Sequence, residues 1–157
     1  MAGPDADSDR LIRYFAESEE FSGVLSELDS FAKSISLSSQ GCVHNLDESF
    51  ARVNTACFVG KMAKLRLVWN LALTGRKFGH YRPSTDTVIL SASLDASEIP
   101  ALTVDFVMYD ELLHKKHGVT LGNGRRLVHT AAFQAGERRF ADFQEAERSL
   151  NGLARKG

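Results

Sequence analysis

The hydrophobic residues of the first third of the chain recur every three or four positions, a spacing that predicts amphipathic helices. The stripes of the first two helices are Leu11, Ile12 and Phe15, then Val24, Leu25, Leu28, Phe31, Ala32 and Ile35. A third helix is predicted over residues 47–58 and is ended by Gly60. Residues 1–9 are small, polar and acidic, which predicts a disordered start.

The hydrophobic period changes from helical to two at Leu65. Leu65, Leu67 and Trp69 fall on one face of an extended chain, which predicts a half-buried strand. Residues 78–81 and 86–91 are predicted as a second and a third strand, separated by turn residues. Because the connections are short, the three strands are expected to form an antiparallel meander.

A long helix follows, and its apolar stripe is Leu102, Phe106, Tyr109 and Leu113. Pro100 suits its first turn and Gly118 its end, which gives a helix of roughly 17 residues. Residues 118–128 are expected to form a glycine-rich loop. Thr130 is the expected N-cap of a helix through Phe140, and a last helix follows. The pattern predicts one α+β domain over residues 1–157.

Composition narrows the class of protein without identifying it. Hydrophobic residues make up 43% of the chain and charged residues 25%, which is ordinary for a globular domain. The net charge of −1 argues against a strongly electropositive nucleic-acid binder. Cys42 and Cys57 form no C-x-x-C pair, so neither a zinc ribbon nor a disulfide framework is expected. With neither a signal peptide nor a membrane span in view, a cytoplasmic location without membrane contact is expected.

The candidate chemistry lies in the last two turns of the long helix. Asp110 and His114 are four residues apart, so their side chains project from one face, and Glu111 lies one position round. This arrangement matches the His-Glu-x-x-His helix of zinc peptidases, in which two His bind zinc and the Glu acts as general base. Here Asp110 stands at the first ligand position. Taken alone, the string is common by chance, and Asp110 with His114 can equally be a surface pair.

A peptidase site of this kind needs a third protein ligand from outside the helix. His129 is the best candidate, because it follows a glycine-rich loop that can turn the chain back. Its ordinary alternative is a surface or capping role. His117, three residues after His114, is a second way to complete the ligand set. His80 can enter the cleft from its strand, although an exposed strand position is favoured for it.

Several segments in order resemble the SprT-like zinc metallopeptidase family, over residues 46–150. The segments are Phe50-Ala51-Arg52-Val53-Asn54, Phe58-Val59-Gly60-Lys61, Leu65-Arg66-Leu67-Val68-Trp69, Phe78-Gly79-His80-Tyr81, Thr87-Val88-Ile89-Leu90-Ser91 and Val104-Asp105-Phe106-Val107-Met108-Tyr109. The segment Gly124-Arg125-Arg126-Leu127-Val128-His129-Thr130 resembles the one that carries the family's third ligand.

The resemblance implies a zincin-like domain: N-terminal helices, a small three-stranded antiparallel sheet, a metal-site helix and C-terminal helices. It also implies Glu111 as general base, His114 and His129 as ligands of Zn²⁺, and a ligand position at residue 110. A carboxylate at Asp110 can ligate zinc but makes it a weaker Lewis acid, so weaker zinc binding or a harder ion such as Mn²⁺ is expected.

Two functions follow from this site. The first is a metallopeptidase that hydrolyses polypeptides, with metal ligands Asp110, His114 and His129 and the base Glu111. The second is a pseudoprotease that keeps the cleft and binds a protein or DNA partner without turnover. Retention of three motif residues favours the first, and Asp110 favours the second. Basic pairs such as Lys115-Lys116 and Arg138-Arg139 leave a DNA partner open.

Overall fold

The computed structural model describes residues 38–71, 77–118, 120–122, 125–127 and 129–156, together with Gly23. The chain divides into two units, residues 1–35 and residues 36–157, and every feature below belongs to the second unit. The two predicted N-terminal helices and the disordered start at residues 1–9 lie outside the described residues. A single domain over residues 1–157 stays a prediction.

Helix α1 spans Leu46–Phe58, in agreement with the predicted helix over residues 47–58. Its N-cap, Asn45, accepts a hydrogen bond from the backbone N–H of Asp47 at 2.8 Å, which satisfies one of the free donors of the first turn. The helix ends at Val59 in the left-handed conformation, with φ of 55°. The buried residues of α1 are Leu46, Ser49, Phe50, Val53 and Phe58.

The sheet has three strands, β1 (Arg66–Asn70), β2 (Gly79–Arg82) and β3 (Thr87–Ser91), in the spatial order β1-β3-β2. β1 pairs in parallel with β3, and β2 pairs antiparallel with β3. The described fold is therefore α+β with a mixed sheet, and the predicted antiparallel meander is wrong.

Burial explains why β3 takes the central place. Every residue of β3 is buried, whereas all four residues of β2 are half-buried. A strand covered on both faces carries a continuous apolar run, as Val88-Ile89-Leu90 does, and a central position suits it. The polar β2 lies at an edge of the described sheet. β1 is also more buried than predicted, because Val68 is buried alongside Leu67 and Trp69.

Helix α2 spans Ala101–His117, with 17 residues, as the sequence predicts. It is the central helix of the described unit, and nine of its residues are buried. The segment after Gly118 is not a plain loop as expected, because β4 (Thr120–Gly122) and β5 (Arg125–Leu127) pair antiparallel as a hairpin. The hairpin lies between the end of α2 and His129 in the sequence.

Helices α3 (Ala131–Glu137) and α4 (Phe143–Lys156) both pack against α2. The Thr130 side chain accepts a hydrogen bond from the Phe133 backbone N–H at 3.2 Å, which confirms the predicted N-cap. α3 stops at Glu137 rather than at Phe140, because the chain turns over the next five residues. The Tyr109 hydroxyl donates to the Gly136 carbonyl at 2.7 Å and so holds the end of α3 on α2.

Candidate functional site

Helix α2 places Asp110 and His114 side by side, as the spacing predicts. Asp110 Oδ2 and His114 Nε2 are 3.7 Å apart, which is contact distance but longer than an ordinary hydrogen bond. Burial lowers the pKa of His114 to about 4, and the positive charges that His129, His80 and nearby groups can carry act in the same direction. His114 is therefore neutral at pH 7, the form in which an imidazole binds a metal.

The structure brings His129 to His114 across the hairpin. Their ring centroids are 5.2 Å apart, with the rings nearly perpendicular. Both rings contact Phe133 of α3: the His114 ring stacks on it at 4.4 Å, and the His129 ring meets its edge at 4.9 Å. The predicted proximity of the two histidines is thus present in the structure, while their role as metal ligands stays a prediction.

Asp110, His114 and His129 line a cavity of about 840 Å³, within the range of roughly 300–1,000 Å³ that is usual for ligand sites. The floor is one face of α2, and the walls come from β2 and its flanks, α3 and α4. The α2 residues that line it are Phe106, Val107, Asp110, Glu111 and His114. Glu137, His129 and His80 complete the polar part. Segments far apart in the sequence therefore meet at one concave surface.

Glu111 lies beneath the edge strand β2 and is 5% exposed. Burial raises the pKa of this carboxyl to about 7, although a hydrogen bond from the Tyr81 backbone acts to lower it. A carboxyl group with a pKa near neutrality is well matched to general base catalysis at pH 7. Of the described carboxylates, Glu111 is thus a strong candidate for a catalytic proton acceptor.

Glycine at position 79 is what allows β2 to pass so close to Glu111. A Cβ atom at Gly79 would lie 2.6 Å from Glu111 Oε1 and 2.8 Å from Val107 Cγ1. Both distances are well below van der Waals contact, so any side chain here displaces Glu111, Val107 or the strand. The glycine of the β2 segment Gly79-His80-Tyr81 therefore has a physical reason in this fold.

We expect Gly79→Ala to lower the free energy of unfolding by about 1–3 kcal/mol, because it overpacks a buried contact. The matched control is Gly152→Ala, which lies in α4 with nothing within 4 Å of the added Cβ. That change is expected to stabilise the protein by about 0.5–1 kcal/mol, because alanine is the better helix former. Urea unfolding of both variants measures the two effects. Equal effects with the same sign would contradict this account of Gly79.

Asp110 has a buried carboxyl group whose hydrogen bonding within the described part of the chain is incomplete. Its Oδ1 atom is buried and, among the described residues, has no hydrogen-bond partner. Burial raises the pKa of Asp110 well above its usual range, and the neighbouring carboxyls of Glu137 and Glu111 add to the shift. Two ionised carboxylates offer only acceptors to each other, so Asp110 and Glu137 are compatible when a proton or a cation lies with them.

Sequence reasoning did not identify Glu137 as part of this site. It occupies the last turn of α3, next to Gly136, whose carbonyl binds the Tyr109 hydroxyl. Glu137 reaches the cavity because that contact fixes how α3 lies on α2. No spacing in the sequence distinguishes it from the neighbouring polar residues of α3.

The donor chemistry of the cavity fits a divalent metal. Imidazole and carboxylate are the ligands that zinc and manganese accept, and the buried Asp110 Oδ1 lacks the partner that a cation would supply. Within the part of the chain that the structure describes, however, no three His, Cys, Asp or Glu side chains are gathered closely enough to hold an ion. Metal binding therefore requires these side chains to draw closer together.

The two other histidines considered from sequence have different places. His117 is exposed, and its ring lies 6.0 Å from that of Phe133, outside the lining of the cavity. His80 is half-buried rather than exposed, and it lines the cavity from β2. Burial lowers the pKa of His80, with Lys77 and Arg82 acting in the same direction. His80 is thus better placed than His117 to contribute to the site.

Comparisons of the chain with protein-family models, with curated proteins and with solved structures find no match. The SprT-like resemblance consequently rests on the sequence segments alone. Within the described residues, no helix is both long and apolar enough to cross a lipid bilayer.

Two basic residues, one of them from the pair Lys115-Lys116 that left a DNA partner open, are engaged with carboxylates. Lys64 forms an ion pair with Asp47, and Lys115 forms one with both carboxylate oxygens of Asp86. A DNA partner stays a prediction, and the cavity is the stronger starting point for a functional proposal.

Proposed function

We propose that the chain is a metal-assisted hydrolase of peptide bonds, of the SprT-like kind. The observation that carries the proposal is the convergence of Asp110, Glu111, His114 and His129, from two separate segments, on one cavity of about 840 Å³. A surface pair at Asp110 and His114 gives no reason for the second histidine, His129, or for a buried glutamate beside them.

The roles of the side chains follow from their chemistry. Asp110, His114 and His129 would hold the divalent ion, which when bound supplies a Lewis acid and lowers the pKa of a coordinated water. Glu111 accepts the proton of the attacking water, and its raised pKa of about 7 allows it to pass that proton to the leaving amine. Glu111 is only 5% exposed, and this burial keeps bulk water from competing for the proton.

The edge strand β2 offers a way to hold an extended polypeptide. The Ser91 N–H donates to the Phe78 carbonyl at 2.8 Å, so Phe78 belongs to a hydrogen-bonded pair of the antiparallel ladder. Such pairs alternate, and the backbone groups of Gly79 and Tyr81 consequently point away from β3. The Gly79 backbone can then pair with a substrate strand beside Glu111.

A binding module without turnover is the second candidate. It is favoured by the carboxylate at position 110 and by the separation of the candidate ligands in the described residues. In this function the cavity and the edge of β2 would hold a protein segment, and the buried Glu111 would have no catalytic role.

The test is hydrolysis of a chemically unfolded protein with added Zn²⁺ or Mn²⁺, followed by gel electrophoresis and mass spectrometry of the fragments. The hydrolase predicts fragments that appear with the metal and disappear when a chelator is added. Binding of the unfolded protein without fragments under either metal would overturn the hydrolase and leave the binding module.

A further inference from the structure

The cavity has two chemically different ends. The end near Asp110, His114 and His129 is polar, whereas the other end is lined mainly by apolar side chains, with Glu147 and Asn151 of α4 beside them. We call this second part the apolar end, and its residues are Phe78, Phe106, Val107, Phe143, Leu150 and Ala154. The Phe106 and Phe143 rings meet edge to face with centroids 5.5 Å apart, and this aromatic pair joins α2 to α4 at the apolar end.

Helix α4 forms part of the apolar end because one of its faces packs against α2 and the core while a neighbouring face lines the cavity. Ala146 is fully buried, Leu153 packs against the core, and Ser149 accepts a hydrogen bond from Thr103 at 2.9 Å. These residues follow helical spacing and fix one face of α4 on α2. A neighbouring face of the helix, with Phe143, Glu147, Leu150, Asn151 and Ala154, lines the cavity.

The distance between the two ends suits a peptide. Phe106 precedes Asp110 by four residues of α2, which is about 6 Å along the helix axis. In an extended strand, side chains on the same face are two residues apart, or about 6.6–6.8 Å. Gly79 lies against both Val107 of the apolar end and Glu111, which is next to Asp110, and β2 lines the cavity beside them. A strand paired with β2 therefore passes Asp110 and Phe106 of the apolar end within two residues.

We infer that the site selects polypeptides that carry a bulky apolar side chain within two residues of the peptide bond to be cleaved. The apolar end receives that side chain. This inference rests on the proposed function and adds a substrate class to it. The occupant is an apolar side chain because Phe78, Phe106 and Leu150 offer no hydrogen-bonding group, and a polar group buried among them would lose its hydration.

The effect on binding is large enough to measure. Burying a phenylalanine or leucine side chain improves affinity by roughly 10–100-fold over leaving it in water. The C-terminal helix α4, which carries none of the candidate catalytic residues, thereby becomes the element that determines specificity.

The experiment compares two fluorescein-labelled peptides, rich in Thr and Ser, that differ only in one central residue, Phe or Ser. Their affinities are measured by fluorescence anisotropy on the full chain carrying Glu111→Gln, which blocks turnover. The same measurement is made after adding Leu150→Ala and, as matched control, Leu153→Ala. Both leucines lie on α4 and pack against the core, but Leu150 lines the cavity and Leu153 does not.

We expect the Phe peptide to bind roughly tenfold or more tightly than the Ser peptide. Leu150→Ala should reduce that ratio by roughly threefold or more, and Leu153→Ala should leave it unchanged. Equal affinity for the two peptides would overturn the inference while the proposed function stands. An equal loss in both leucine variants would also overturn it, because the preference would then not arise in the cavity. If neither peptide binds, the proposed function fails together with the inference.

Discussion

Glu111→Gln is expected to lower the rate of peptide hydrolysis by roughly 10²–10⁴-fold, the range that a positioned general base contributes. The substitution keeps the size of the side chain and an acceptor for the Tyr81 backbone, so the protein should fold as before. What it removes is the proton acceptor beside the attacking water. The rate is measured on an unfolded protein at a fixed concentration of Zn²⁺ or Mn²⁺.

Glu147→Gln is the matched control for this prediction. Glu147 lines the same cavity from α4, but it is exposed and has no part in the proposed chemistry. The control should hydrolyse the substrate at the parent rate. If Glu111→Gln also cleaves at the parent rate, then Glu111 is not the base and the hydrolysis arises elsewhere.

Asp110→His is expected to raise the affinity for Zn²⁺ on the order of tenfold, because it replaces a short carboxylate with a longer imidazole. The substitution also removes the Asp110 carboxyl, which lies close to the Glu137 carboxyl and whose buried Oδ1 has no hydrogen-bond partner among the described residues. Zinc affinity is measured by competition with a chromogenic chelator, so the result does not depend on turnover.

Glu147→His is the control for that change, since it adds a histidine to the same cavity from a different helix, α4. It should leave zinc affinity as it is in the parent. An Asp110→His protein that binds zinc no better than the parent would mean that residue 110 lies outside the metal site.

The helix that carries the motif could be predicted from the sequence because its signals are local. The spacing of its apolar residues gives a helical period, and Gly118, predicted to stop the helix, directly follows its last residue, His117, in the structure. The relation between Asp110 and His114 follows from four-residue spacing alone. Their contact in the structure, at 3.7 Å, needed no knowledge of the rest of the fold.

The order of the strands could not be predicted from loop lengths, which favoured a meander. The order depends on the burial of both faces of β3. In the sequence, the continuous apolar run Val88-Ile89-Leu90 is the sign of that burial. A continuous apolar run of this length is ambiguous until the helices that cover the sheet are known. The consequence matters for the site, because β2 becomes the edge strand beside Glu111.

Two features of the cavity depend on tertiary packing and have no local signal. Glu137 enters the polar end because the Tyr109 hydroxyl binds the Gly136 carbonyl, and this contact fixes the position of α3. The apolar end exists because α4 packs on α2 through Ala146 and Ser149 and so turns Leu150 toward the cavity. Neither contact can be read from the spacing of residues within one helix.

The most direct test of the central claim is elemental metal analysis of the parent protein beside His114→Ala, His129→Ala and His117→Ala, with thermal unfolding as a check on folding. We predict near-stoichiometric zinc or manganese in the parent, loss of the metal in His114→Ala and His129→Ala, and its retention in His117→Ala. A folded parent without metal after purification with both ions present would contradict the claim, as would equal metal content in all four proteins.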